Sequence, residues 1–413
     1  MSSRKRIAAL LAVAVAGCFA AVADGVHAAR VAGPTLTIWI DQNRQAAVTT
    51  VADRWAAKNP GVTVDVVVKD LGSIETTLGT VDASAAPDVI VGAHDWTGQL
   101  VANGLVEPIH LSAAVKKTFP VDALDAFSYG PAVEKLYGVP TQIENVGLVV
   151  NTRLEKVPTT FAQLEQEALA FKHKKAGNLA IAVQQGSADG GYFMYPFFSG
   201  LGGYIFGTNS AGTIDPSDIG VASKAFLKNA SLIDKWDKEG LINSAGDSST
   251  AQNAFLEKQA AFWITGPWSL QLLERSGLRF TIVQMPAIAY PSVPFLGVQG
   301  FMVTKFASVH GVDALAQDLV SNHISAPAAQ LALALANGRF PASTVAGKEV
   351  RDPALAEFGK AGAGGVPLPN IPQTSSVWPD FGAAWARATK GAGATKAATA
   401  FKAAARSISH RIG

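Results

Sequence analysis

The sequence predicts an α/β protein built as two units. Residues 36–91 alternate strand, helix, strand, helix, strand, and residues 145–290 repeat that alternation. The chain has 413 residues, more than one hydrophobic core usually organises. Its composition, 48% apolar and 16% charged, suits packed domains rather than disorder.

The elements read as follows. Residues 36–40, Leu-Thr-Ile-Trp-Ile, form a strand. Residues 46–58 form a helix with Val48, Val51, Ala52 and Trp55 on one face, stopped by Asn59-Pro60-Gly61. A strand at 62–68, a helix at 74–84 and a strand at 88–91 complete the first alternation, which implies a mostly parallel sheet with helices on both faces. Strands follow at 136–140 and 146–151, joined by a polar stretch. A helix at 161–175 has Thr159 or Thr160 as its N-cap. A strand at 180–183, a long helix at 221–239 and strands at 260–264 and 281–285 finish the second unit. Residues 286–297 hold three prolines and read as a connector. Beyond it lie a strand at 301–304, helices near 307–323 and 326–337, and an Ala-rich helical tail from Phe381, broken at Gly391 and Gly393. Gly200-Leu-Gly-Gly203 departs from the dinucleotide fingerprint and reads as a turn.

Residues 262–268, Phe-Trp-Ile-Thr-Gly-Pro-Trp, are the most informative segment. The apolar run is a buried strand, and Gly266-Pro267 forces the chain to turn. Trp268 therefore stands just past a strand end, where open α/β sheets bind ligands. The competing reading is a tryptophan that caps the core.

The net charge is +2, of which Arg4, Lys5 and Arg6 supply +3, so the remainder sums to about −1. That balance speaks against nucleic acid and polybasic membrane binding. Residues 1–34 read as a signal peptide and tether: a basic start, an apolar run over 7–17 too short to span a bilayer, then an Ala/Gly-rich stretch. Val15-Ala16-Gly17-Cys18 has the form of a lipobox, which would lipidate Cys18 and anchor the protein at the outer face of the cytoplasmic membrane. Cleavage after Ala28, in Val26-His27-Ala28, would instead give a periplasmic or secreted protein. Cys18 is the sole cysteine, so disulfides and multi-cysteine metal sites are excluded. No cofactor or metal is expected.

Four motifs occur in order: Leu36 to Ile40, Pro87 to Asp95, Ile264-Thr-Gly-Pro-Trp268 and Pro369-Asn-Ile-Pro-Gln373. With these the chain, over about 35–412, resembles the extracellular solute-binding proteins of ABC importers, closest to the maltose/maltodextrin-binding group. The resemblance implies a two-lobe, periplasmic-binding-protein-like α/β fold with a hinge and an interlobe cleft. It implies a first lobe of 35–142 plus 298–342, a second of 146–290 plus 346–413, and crossings near 141–146, 291–298 and 340–346. It further implies a monomer that hands an oligosaccharide to a membrane permease.

A sugar ring presents an apolar face and a rim of hydroxyls, so flat aromatics and a few isolated charges suit it. Tyr192, Trp268 and Trp378 match the aromatic platforms of the resembled group, and Asp95 and Glu144 match its ring-binding carboxylates. Asn43 and Arg44 match an Asp-Lys pair, Arg44 keeping the charge as a hydroxyl donor. Five positions depart from the pattern. Gly92 stands for a tryptophan, Trp96 for an arginine, Leu270 for a second tryptophan and Gly382 for an arginine; an acid falls on Gly190 or is displaced to Asp189. These departures leave the sugar open, with maltodextrins first and trehalose or a galactoside as alternatives, and Trp96 is expected to restore the stacking area lost at Gly92.

Other classes fit less well. A glycoside hydrolase needs two carboxylates about 5–10 Å apart, and Asp95 and Glu144 have no separation fixed by sequence. No nucleophile elbow, phosphate-binding loop or zinc helix is present. A ferric site needs several hard ligands and a polyamine site a strongly acidic cleft, neither of which is evident. An adhesin would bind no small solute.

Overall fold

The computed structural model describes residues 33–130, 135–185, 190–210, 213–243 and 246–413; Cys18, the leader and Asp189 lie outside them. Two sheets set the architecture. The larger runs in the order Phe340–Pro341, Val139–Glu144, Phe295–Val303, Val89–Ala93, Thr35–Ile40, Thr63–Val68, with Val366–Pro367 also paired to Phe295–Val303. Thr35–Ile40 is parallel to both Thr63–Val68 and Val89–Ala93, as helical crossovers require. Phe295–Val303 runs antiparallel to both its main neighbours, so the sheet is mixed rather than mostly parallel. The smaller sheet sets Phe262–Thr265 and Phe280–Val283 antiparallel on either side of Gly147–Asn151.

The larger sheet carries one core and the smaller sheet two, the third of them gathering Val149, Phe255, Trp263, Ile282 and Phe358. The first gathers Ile38, Val48, Trp55, Phe127, Phe301 and Leu333; the second gathers Phe161, Trp236, Phe197, Phe198, Trp385 and Phe401. The helix Gln45–Ala56 shows how the sequence builds them: Val48, Val51, Ala52 and Trp55 recur at helical spacing and are all buried. Trp55 also donates its indole N–H to Asp318 at 2.7 Å.

The chain passes between the sheets at short crossings. Glu144 ends one strand and Gly147 begins the next, so only Asn145 and Val146 intervene. Thr141 to Glu144 thus lie in a strand, not in a linking stretch. A second passage lies inside Phe295–Val303: Phe295 packs in the second core and Val298 in the first. A returning segment ties the halves again. Asn370 Nδ2 donates to the carbonyls of Asp125, Ala126 and Ser128 at 2.8–3.1 Å. A Cβ on Gly98 would lie 2.4 Å from the Asn370 carbonyl, so this approach needs glycine.

Several elements differ from expectation for identifiable reasons. Residues 295–297, read as connector, open a strand directly after Pro294, which needs no partner for a missing N–H there. The helix Gly190–Gly200 was not anticipated; its two leading glycines and Pro196 are breakers, overridden by burial of Met194, Phe197 and Phe198. The helix expected at 221–239 is interrupted: Ser223 caps Lys224–Asn229, and Ser231–Glu239 follows. The helix expected at 307–323 breaks at Gly311, whose φ is +72°. The strand at 180–183 reduces to one bridge, Ala182 to Trp263. Thr160, not Thr159, caps Phe161–Lys174.

Candidate functional site

The strand Val89–Ala93 is apolar and buried, and it ends in a tight turn, His94–Trp96. That turn delivers Asp95 and Trp96 to the end of the larger sheet. Phe262–Thr265 ends in the same manner: Gly266 is extended and Pro267–Ser269 turns, which brings Trp268 out. A Cβ on Gly266 would lie 2.2 Å from the Trp268 ring, so the indole folds back over bare backbone. Tyr192 stands in the first turn of Gly190–Gly200, and Trp378 opens Trp378–Ala388.

These side chains converge. Tyr192 stacks on Phe295 at 6.1 Å and 23°, and tilts against Trp268 at 6.2 Å. Phe295 meets Trp378 edge-on at 5.8 Å, and Phe193 meets Trp268 edge-on at 5.7 Å. Asp95, Trp96, Glu144, Tyr192, Trp268 and Trp378 line one cavity of about 530 Å³ between the two sheets. That volume lies within the usual range for small-molecule sites, about 300–1,000 Å³.

Asn43 and Arg44 line an adjoining cavity of about 470 Å³, which shares Leu71 and Arg339 with the first. Asn43 is exposed at its mouth. Arg44 is only 1% exposed, and its guanidinium is committed to Asp41, to Gln142 at 2.6 Å and to Gln299. Its Nε alone lacks a partner. Burial, reinforced by Arg339, pulls its pKa down to about 9. Arg44 is thus a buried organiser of the cleft floor, where a free hydroxyl donor was expected.

Glu144 is likewise built into the floor. It accepts from Gln299 at 2.8 Å and pairs with Arg339. Arg339 also sits 5.8 Å over the Trp268 ring, linking both sheets. Asp95 is pushed above the ordinary carboxylate range by burial; hydrogen bonds from its own backbone N–H and from Trp378 oppose the rise. His94 is buried and held below its usual pKa, first by desolvation. Its Nε2–H donates to the Leu368 carbonyl at 3.0 Å, and its Nδ1 faces both the N–H and the carbonyl of Val298, at 3.1 and 3.2 Å. The Tyr192 hydroxyl is buried without a partner, and desolvation holds its pKa well above the usual value.

Sequence reasoning missed Arg339 and Glu75. Arg339 lies in an Asn-Gly-Arg turn with no periodic pattern. Glu75 shares a helical face with the cavity-lining Leu71 and Gly72; desolvation and then Asp95 raise its pKa to about 7. Its position in an amphipathic helix could have flagged it only once the helix was placed. Among the described residues no group of three or more His, Cys, Asp or Glu could hold a metal, and no helix is long and apolar enough to cross a membrane. The arrangement offers flat faces, a few fixed charges and an unspent hydroxyl, which is chemistry for holding a polar, ringed solute.

The family described as bacterial extracellular solute-binding protein matches residues 50–357. The chain belongs to this family. The solute-binding protein is 28% identical to the galactooligosaccharide-binding protein of Bacillus subtilis, covering 84% of this chain and 82% of that one. It is 26% identical to the maltodextrin-binding protein of the same organism, covering 90% and 88%. Among solved structures it superposes on the Thermus thermophilus maltotriose-binding protein bound with maltotriose. The TM-score is 0.79 at 25% identity, over 92% of this chain and 100% of the other. The two sheets with the cores packed on them are therefore the two lobes of a binding-protein fold, and the 530 Å³ cavity lies in the cleft between them.

Proposed function

We propose that this solute-binding protein is the capture component of an ABC sugar importer and takes maltose/maltodextrin-type oligosaccharides. The observation that carries the reading is the convergence of Tyr192, Trp268, Trp378 and Trp96 with Asp95 and Glu144 on one cavity. The aromatics stack on sugar faces, while Asp95 and the Tyr192 hydroxyl bond the rim. Asn43 lies at the mouth of the adjoining cavity, where an outer ring would reach, and Arg44 supports the floor. Contacts from both lobes exist together only when the cleft is closed, so ligand shifts the population toward closure. The protein binds its solute unchanged and is not an enzyme. It acts as a monomer, passes the ligand to a membrane permease, and is exported. Lipidation of Cys18 anchors it at the outer face of the membrane.

A galactooligosaccharide is the second reading, favoured by the relative of that name. Isothermal titration with maltose, maltotriose, trehalose and a galactoside tests both. The proposal expects saturable binding of the maltodextrins. A response to the galactoside alone supports the second reading, and none to any sugar refutes both. A reducing-sugar assay after incubation with maltotriose checks that the ligand is not cleaved.

A further inference from the structure

The charges in the cleft do not balance. Among the described residues Arg339 is the one lysine or arginine that lines the main cavity, and Glu144 neutralises it. In the adjoining cavity Arg44 is matched by Asp41, while Lys69 lies 4.6 Å over the Trp39 ring with Asp70 beside it in sequence. Among the described residues Asp95 has no ion-pair partner; its donors are the Trp378 indole and its own backbone N–H, and the neighbouring His94 is held below its usual pKa by burial. Glu75 stands on the same helical face as the cavity-lining Leu71 and Gly72, the Asp95 charge adds to the burial that raises its pKa, and among the described residues its side chain has no hydrogen bond or ion pair. The rings of Trp96, Trp378, Tyr192 and Trp268 line the same cavity, and aromatic rings favour a cation, as Arg339 over Trp268 illustrates. The Tyr192 hydroxyl adds an acceptor without a partner.

A neutral hydroxyl gives a carboxylate one charge-assisted hydrogen bond, whereas an ammonium group also cancels its charge at close range. We propose that the ligand of this cleft is an amino sugar, an oligosaccharide carrying a protonated primary amine seated between Asp95, Glu75 and the tryptophan faces. The inference rests on the sugar-binding reading and narrows it. Burial raises both carboxylates, most clearly Glu75 to about 7, so each gains charge when a cation arrives. Preference for the amine therefore declines as pH falls through that value, and declines again where the amine itself loses its proton.

The test is isothermal titration of the mature chain with matched probes. These are maltose and lactose, each as the parent, with a primary amine replacing the 2- or 6-hydroxyl of the non-reducing ring, and with that amine acetylated. The expected result is an amine bound about tenfold tighter than both its parent and its N-acetyl form. That ratio should fall toward one as pH is lowered from about 7 to about 5. It should also fall toward one in Glu75→Gln and in Asp95→Asn. Parents bound as well as every amine overturn the inference and leave the sugar reading standing. No binding by any probe overturns both.

Discussion

The indole of Trp96 lies directly over Gly92: a Cβ placed on Gly92 would come within 2.8 Å of Trp96 Cε3. The ring also lines the cleft, so the turn His94–Trp96 supplies a flat face above the position that lacks a side chain. Trp96→Ala should weaken oligosaccharide binding three- to tenfold, on the order of 1 kcal/mol. Gly92→Ala should weaken it too, by tilting the ring. Titration calorimetry on both variants checks this; unchanged affinity in Trp96→Ala would remove Trp96 from the binding surface.

Arg44 holds Asp41, Gln142 and Gln299 together while almost fully buried. Arg44→Ala leaves two buried amides and a carboxylate without their donor, and should cost about 3 kcal/mol of stability. Denaturant unfolding of the ligand-free protein measures it. A residue that acted mainly by gripping ligand would instead lose affinity and keep its stability.

Tyr192 predicts opposite signs in two measurements. Its hydroxyl is buried without a partner in the free protein. Tyr192→Phe removes that desolvated group and should raise stability by about 1 kcal/mol. The same change removes a ligand contact and should lower affinity about fivefold. Thermal unfolding without sugar and titration with it separate the two effects.

Glu75 makes stability depend on pH. Its folded pKa of about 7 exceeds the ordinary 4.5, so between these values the folded state binds more protons than the unfolded state. Stability from this group is therefore full below pH 4.5 and is lost as pH rises to about 7. Glu75→Gln should flatten that decline. Denaturant midpoints taken across the window, for both forms, read the difference.

Much of this architecture can be read from local pattern. The strands expected at 36–40, 62–68 and 88–91 are found at Thr35–Ile40, Thr63–Val68 and Val89–Ala93, because each is a short apolar run bounded by turn residues. Trp268 could be placed because Gly266-Pro267 admits no continuation of its strand. Arg339 could not: it reaches the cleft only through the pairing of Phe340–Pro341 with Gln142 and Ile143, which is a long-range event. Nor could the burial of Arg44. Its charge suggested a ligand donor, but the partners that claim it, Gln142 and Gln299, lie on strands far along the chain. Local spacing marks which residues stand at strand ends; tertiary pairing decides which of their charges remain free.

The most direct test of the central claim is intrinsic tryptophan fluorescence titrated with maltotriose, in the native chain and in Trp268→Ala and Trp378→Ala. A ligand held among these rings predicts a saturable spectral change, with affinity reduced about tenfold or more in each variant. Native affinity retained in both variants would place the ligand elsewhere and contradict the account.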